Sequence, residues 1–92
     1  MYLEIVTPEA TLFSGDVTSV AVPGINGDFQ ILDNHAPIIS LLGKGNIAIY
    51  GEVELIKEFA SKFSKGDKNQ TLLPIKSGTI EMKENKVIIL AD

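Results

Sequence analysis

The sequence contains no cysteine and no arginine. Without cysteine, no disulfide can stabilise the fold and no thiolate site can form. Without arginine, the chain lacks the usual bidentate phosphate clamp and any arginine finger. These two absences exclude thiol chemistry and disfavour phosphoryl transfer.

Lysine is also missing from residues 1–43, because all eight lysines fall between Lys44 and Lys86. The same stretch contains several carboxylates: Glu4, Glu9, Asp16, Asp28 and Asp33. Nucleic acids bind clustered cations, so we expect no nucleic-acid partner. The acidic half favours a basic protein surface as a partner, although a solvated acidic rim is the simpler interpretation of any single carboxylate.

Long apolar runs are absent as well. The longest, Ile38–Leu42 and Val87–Ala91, are far shorter than the ~20 residues of a membrane span. No basic, apolar leader opens the sequence. We therefore expect membrane contact only through a partner complex, and the 92 residues predict a single domain, 1–92.

Alternation of apolar and polar residues predicts that the chain is mostly short β-strands. The alternating segments are Tyr2–Thr7, Val17–Val22, Phe29–Ile31, Ile47–Tyr50 and Thr79–Lys83. The closing run Lys86–Ala91 is apolar nearly throughout, which is typical of a strand buried on both faces. Turns are predicted at Asn26-Gly27, Gly43–Asn46 and Glu84–Lys86, with Asn85 in the left-handed region. This pattern favours an all-β sandwich or barrel, in which Pro74 makes Thr71–Lys76 an edge or bulged strand.

One segment departs from the β-pattern. Its apolar residues recur at helical spacing: Val53, Leu55, Ile56, Phe59, Ala60 and Phe63. We predict an inserted amphipathic helix over about residues 53–64. Glu58 and Lys62 lie four residues apart in the favourable order, and Gly66 is the predicted C-terminal cap.

The residues give little support for catalysis. His35 is the only histidine, so a zinc site would need carboxylates for its other ligands. Gly43-Lys44 is followed by Gly45 rather than Ser or Thr, so it is not a phosphate-binding loop. Asp28 and Asp33 are five residues apart, on opposite faces of a regular strand. We predict no catalytic residue, no metal and no cofactor.

The stretch from Gly24 to Pro37 is the most informative part of the sequence. It combines a tight turn, a short strand, and a second turn in which His35 precedes an Ala36-Pro37 step. Pro37 biases Ala36 towards extended geometry, and Asn34 tolerates the left-handed region. His35 is therefore held in a defined place, where it either ties down the loop or contacts a partner.

This stretch resembles the N-terminal domain of the epsilon subunit of F-type ATP synthases. The matching positions are Gly24, Gly27, Asp28, Phe29, Ile31, Leu32, His35, Ala36, Pro37 and Ile38. Three further segments resemble the family in the right order: Leu3–Glu9, Leu12–Val17 and Asn85–Asp92. Asn34 and Gln30 depart from the usual glycines, and residues from about 53 to 68 look like an insertion.

The resemblance implies a flattened two-layer β-sandwich in the central stalk, or rotor, of the complex. The domain would dock on the gamma subunit and on the membrane ring of c subunits, coupling proton-driven rotation to ATP synthesis without chemistry of its own. It implies a peripheral location at the cytoplasmic face of the bacterial inner membrane. The family's nucleotide-sensing helical hairpin follows this domain; the sequence ends at Asp92, so we expect no nucleotide binding.

Two sets of contact residues follow from the resemblance. Gly27, Asp28 and Phe29 match the turn that faces the ring, whose loops commonly carry a basic residue. Thr7, His35, Ala36, Pro37 and Ser40 match the gamma-facing side. For Asp28 the alternative is a turn acceptor, and for the whole chain it is a stand-alone β-sandwich module that binds another protein.

Overall fold

The computed structural model describes residues 1–92 as two five-stranded sheets packed face to face. The first sheet contains β1 (Tyr2–Val6), β2 (Thr11–Asp16), β5 (Ile38–Leu42), β9 (Gly78–Lys83) and β10 (Lys86–Ala91), in the order β2-β1-β10-β9-β5. The second contains β3 (Ser19–Val22), β4 (Phe29–Leu32), β6 (Gly45–Tyr50), β7 (Ser64–Lys65) and β8 (Thr71–Ile75), in the order β4-β3-β6-β8-β7. The predicted all-β, two-layer sandwich is confirmed.

Alternation along each strand builds the core, because successive side chains point to opposite faces of a sheet. In β1, Leu3 and Ile5 are fully buried while their neighbours are half-buried. The inward residues form one cluster of 18: Leu3, Ile5, Leu12, Phe13, Val17, Val20, Val22, Ile31, Leu42, Ile47, Ile49, Leu73, Ile75, Ile80, Met82, Val87, Ile89 and Ala91. Each sheet therefore contributes one face to the core.

Strand β10 was expected to be buried on both faces, and this is wrong. Val87, Ile89 and Ala91 point inward and are buried, whereas Ile88 is half-buried and Leu90 is 53% exposed. Only one face of the first sheet is covered by the second sheet. The outward residues of β10 are therefore left at the surface even though they are apolar.

The turns lie where the sequence predicts them, but not all of them have the predicted backbone conformation. Glu84 and Asn85 have φ values of 52° and 60°, which confirms the left-handed Asn85. Asn26-Gly27 lies between β3 and β4 as predicted, but the connection covers residues 23–28 and only Gly27 has positive φ. On one side of β8, Pro74 pairs with Asn46 of β6. On the other side, β7 pairs only with Thr71 and Leu72, so β8 has no neighbouring strand there at Pro74.

The predicted amphipathic helix over residues 53–64 is present only as a 3₁₀ helix, Lys57–Lys62. Its flanks are irregular, and apolar side chains from the whole segment pack against the core: Val53, Leu55, Phe59 and Phe63. A 3₁₀ helix has three residues per turn, so Glu58 and Lys62 do not align and form no ion pair. Gly66 belongs instead to the hairpin turn before β8, where its N–H donates to the Gln70 carbonyl.

None of the helical structure is long and apolar enough to cross a membrane.

Neighbouring residues of β10 test the one-sided burial. We expect Ile89→Ala to lower the free energy of unfolding by about 2–5 kcal/mol, because a fully buried side chain leaves a cavity. The matched control Leu90→Ala should cost no more than about 0.5 kcal/mol, because Leu90 is largely exposed. Urea denaturation of both variants gives the comparison, and equal losses would contradict the assigned faces.

Candidate protein-docking site

The turn of residues 23–28 places Gly27 and Asp28 at an exposed tip. The Gly27 N–H donates to the Gly24 carbonyl at 3.0 Å, and Gly27 has φ of +125°, a conformation that favours glycine. Asp28 forms no ion pair. Phe29 is half-buried and packs so closely under Gly24 that a Cβ on Gly24 would lie 2.7 Å from its ring. Phe29 therefore anchors the turn, and its neighbours face solvent.

This turn is also tied to β5 of the other sheet. The Ile25 N–H donates to the Leu41 carbonyl at 3.0 Å, and the Gly43 N–H donates to the Pro23 carbonyl at 2.8 Å. Gly24 and Leu42 form an isolated antiparallel bridge between these bonds. The two sheets are thus hydrogen-bonded to each other at this end of the sandwich, which fixes the turn relative to β5.

The loop of residues 33–37 lies at the opposite end of β4. Asn34 has φ of 60°, as its tolerance of the left-handed region suggested, and its N–H donates to Asn85 Oδ1 at 2.8 Å. The His35 N–H donates to the Leu32 carbonyl, and His35 Nδ1 lies 2.7 Å from the Ala36 carbonyl oxygen. The imidazole is exposed while it bonds its own loop, so the geometry is compatible with both interpretations of His35.

An ion pair fastens the same loop to the start of the chain. The Met1 amine lies 3.0 Å from Asp33 Oδ1. A hydrogen bond from this amine, a second from the Asn85 side chain, and attraction to the amine's charge hold the pKa of Asp33 below its ordinary value of 3.8, outweighing desolvation. The loop that presents His35, Ala36 and Pro37 is therefore connected to β1 and to the β9–β10 turn.

The residues predicted to face gamma do not form one cluster. Thr7 lies in the β1–β2 turn, where its Oγ1 donates to the Ala10 carbonyl. His35, Ala36 and Pro37 lie near the other end of β1. Because a strand rises about 3.3 Å per residue, the length of β1 separates them from Thr7. Ser40 is opposite the buried Ile80, so its half-buried side chain points inward and its neighbours point out.

Sequence reasoning missed the outward residues of the first sheet. Leu41, Thr79, Leu90 and Val6 lie directly opposite one another across four strands. The next row contains Ile39, which is 77% exposed, and Ile88. Glu81 lies between these two residues, and Glu4 lies beside Ile88. We call Val6, Ile39, Leu41, Ile88 and Leu90 the apolar strip. The sequence did contain a signal for this surface, because Ile38–Leu42 is apolar at both odd and even positions. A strand in a two-layer sandwich buries side chains on only one of its two faces, so the other set must be exposed.

Features suited to other chemistry are few. No group of three or more His, Cys, Asp or Glu side chains is placed to hold a metal ion. A cleft of about 320 Å³ lies between the 3₁₀ helix and the sandwich, with mainly apolar walls that include Phe59, Leu12 and Leu73. The main exposed features are the turn of residues 23–28, the loop of residues 33–37 and the apolar strip.

The Asp33 ion pair yields a test with a defined sign. Because the folded pKa of Asp33 is below the unfolded one, its carboxylate adds stability that is present above about pH 3.8 and is lost as the pH falls through the folded pKa. We expect Asp33→Asn to lower the free energy of unfolding at neutral pH, with the difference vanishing in acid. Urea denaturation across pH measures this. The control is Asp67→Asn, since Asp67 is exposed and unpaired, and an equal loss there would contradict the role of the amine.

Comparison with known proteins assigns this architecture to a family. Residues 1–92 match the family described as "ATP synthase, Delta/Epsilon chain, beta-sandwich domain". The chain is 41% identical over 92 residues to the ATP synthase epsilon chain of Campylobacter curvus (strain 525.92), spanning all of this chain and 60% of that relative. It is 37% identical over 90 residues to the ATP synthase epsilon chain of Chlorobium limicola, covering 98% of this chain and 86% of that one.

A solved structure shares the fold. It is the cryo-EM structure of the Tetrahymena thermophila mitochondrial ATP synthase central stalk and c-ring, with a TM-score of 0.72 and 14% identity over 98% of this chain and 61% of that chain. Identity this low supports the fold alone. The match over the whole chain and the bacterial relatives together establish that this protein belongs to the ATP synthase delta/epsilon chain family, as its β-sandwich domain.

Proposed function

We propose that this chain is a non-catalytic central-stalk subunit of an F-type ATP synthase, acting as a single β-sandwich domain that docks on the gamma subunit and on the c-ring. In this role it couples proton-driven rotation of the ring to ATP synthesis at the cytoplasmic face of a bacterial inner membrane. It reaches the membrane through the complex. Membership in the family supports this function, and the Tetrahymena structure shows that the same fold occurs in a structure of an ATP synthase central stalk and c-ring.

The observation that carries the docking function is the apolar strip. Single exposed apolar side chains are ordinary, but several on one uncovered sheet face mark an interaction surface. Here Thr79 and Glu81 of β9 separate the two strip residues on β5 from those on β10 and β1. Ile39, Leu41 and Leu90 are 77%, 57% and 53% exposed on a face that no other part of the chain covers. We assign the strip to gamma, because it adjoins Ser40 on β5 and runs across the sheet towards Thr7.

The His35-Ala36-Pro37 loop extends the same proposed surface to the other end of the first sheet. The Asn34–Asn85 hydrogen bond holds this loop against the β9–β10 turn, and the Met1–Asp33 ion pair holds it against the start of the chain. A loop fixed in this way loses little conformational entropy when a partner binds. In this proposal Thr7 and the loop mark the ends of a surface whose centre is apolar, while the Ser40 side chain points away from that surface, into the sandwich.

The exposed turn is the part assigned to the c-ring. Asp28 is exposed, forms no ion pair, and belongs to a half of the chain without lysine. An unpaired carboxylate on a rigid turn suits a basic loop of the ring, because complementary charge guides association and fixes orientation. Gly27 contributes the turn geometry, and Phe29 holds the turn in place from below.

A charge placed on the strip tests the gamma assignment. We expect Leu41→Asp to weaken binding of gamma by roughly tenfold or more, because the carboxylate would be desolvated at an apolar contact. The matched control is Leu32→Asp. Leu32 is 59% exposed, close to the 57% of Leu41, but lies on the second sheet. Titration with purified gamma measures both, after each variant is checked for the wild-type melting temperature.

Each outcome has one interpretation. Loss of binding only in Leu41→Asp supports the strip as the gamma surface. Unchanged binding in both variants would refute that surface while leaving a central-stalk role in place. If the wild-type chain binds neither gamma nor the ring, the central-stalk function itself is wrong and the chain is a β-sandwich module for another partner.

A charge reversal tests the ring assignment. We expect Asp28→Lys to reduce retention of the chain on purified rotor complexes of gamma and the c-ring, and to remove the salt sensitivity of that retention, since its carboxylate is the proposed partner of a basic loop. Asp67→Lys, which reverses an exposed carboxylate in a different turn, is the control. Normal assembly and proton coupling in Asp28→Lys would overturn the assignment.

A further inference from the structure

The Asn26-Gly27 step has a chemical property that the docking function does not use. The chain has five asparagines, Asn26, Asn34, Asn46, Asn69 and Asn85, and only Asn26 precedes glycine. A side-chain amide followed by a glycine nitrogen can cyclise, because glycine has no Cβ to hinder that nitrogen. Whether Asn26 cyclises in the folded protein therefore depends on the geometry of its turn.

The geometry of the turn leaves Asn26 free to react. Asn26 is exposed and its side chain forms no hydrogen bond. A Cβ built on Gly27 would meet nothing within 4 Å, so no neighbouring residue crowds the side of the turn that the Gly27 Cα faces. The connection between β3 and β4 spans residues 23–28, longer than a two-residue hairpin turn, and Asn26 lies in its exposed part. The one restraint is the hydrogen bond from the Gly27 N–H to the Gly24 carbonyl.

The other asparagines are held or hindered. Asn85 Oδ1 accepts the Asn34 N–H, and the Asn34 side chain donates to Asp33. Asn46 lies in β6, paired with Pro74 of β8, and is followed by the β-branched Ile47. Asn69 precedes Gln70, whose side chain accepts the Lys68 N–H. None of them combines a free amide with an unhindered following nitrogen.

We propose that Asn26 is a site of spontaneous deamidation in the folded protein. The deprotonated backbone nitrogen of Gly27 attacks Asn26 Cγ, forming a C–N bond while the bond to the side-chain nitrogen breaks and ammonia leaves. Water then opens the resulting succinimide at either carbonyl, giving aspartate or isoaspartate. No oxidant, reductant or enzyme is needed, and each product adds one negative charge.

The modification changes the turn in two ways. It places a second carboxylate two residues from Asp28 at the exposed tip. Isoaspartate also lengthens the backbone by one carbon, within a turn where Gly24 already has the Phe29 ring and the Gly27 carbonyl at close range. Any effect on ring docking rests on the proposed function, whereas the modification itself does not.

Peptide mapping by mass spectrometry tests the site in the intact chain. Folded protein is incubated in mildly alkaline buffer at growth temperature beside a synthetic peptide covering residues 22–30. We expect the mass gain of an amide-to-acid conversion at Asn26, roughly tenfold or more faster than at any other asparagine because its following nitrogen is unhindered. Both aspartate and isoaspartate should form. Asn26→Gln, whose longer side chain must close a larger ring, should abolish the gain.

The opposite results would overturn the site. If the peptide converts completely while the folded chain shows no gain, the Gly27–Gly24 hydrogen bond protects Asn26 and the inference is wrong. It is equally wrong if the gain maps to another asparagine. Binding of Asn26→Asp to the rotor complex is measured separately, so a failure of the ring assignment leaves the chemistry of Asn26 standing, and the reverse.

Discussion

The parallel pairing of β1 with β10 is the contact on which the rest of the structure depends. It joins the first and last strands at the centre of the first sheet, with Leu3 opposite Val87 and Ile5 opposite Ile89. The four inward side chains are fully buried, so this pair forms the middle of one wall of the core. Because the pairing is between opposite ends of the chain, neither half can complete the sheet alone, and the entropy of closing a long loop must be overcome before this contact forms.

A two-layer sandwich buries one face of each sheet and leaves the other face exposed. In the first sheet that free face contains the apolar strip, interrupted by Thr79 and Glu81 of β9 and bordered by Glu4. An isolated protein gains nothing from exposing these side chains, whereas a subunit of a larger assembly can bury them against a partner. The same two-layer constraint that makes the fold thus exposes the surface that we propose docks on a partner.

The polar contacts at the two ends of the sandwich have a different role. At one end, backbone hydrogen bonds from residues 23–25 to Leu41 and Gly43 fix the Gly27-Asp28 tip across the two sheets. At the other, the Met1–Asp33 ion pair and the Asn34–Asn85 hydrogen bond hold the His35 loop. Exposed ion pairs add little stability, so the importance of these contacts is positional. They set the distance between two surfaces that are assigned to different partners.

The sequence by itself determined the all-β class, the core-facing residues of most strands, the left-handed Asn34 and Asn85, and the family, because local alternation and turn chemistry are readable from neighbours along the chain. It could not determine which side of Lys86–Ala91 is open, because burial of Ile88 and Leu90 depends on whether a second layer covers them. Nor could it show that residues 53–64 lack an α-helix: their apolar side chains meet the core from a short 3₁₀ turn and its irregular flanks. The sequence could not show that Ser40 points inward while Ile39 and Leu41 face solvent, since only the pairing of β5 with β9 decides which of them is exposed. Periodicity is a local property of the chain, and exposure is a property of the assembled layers.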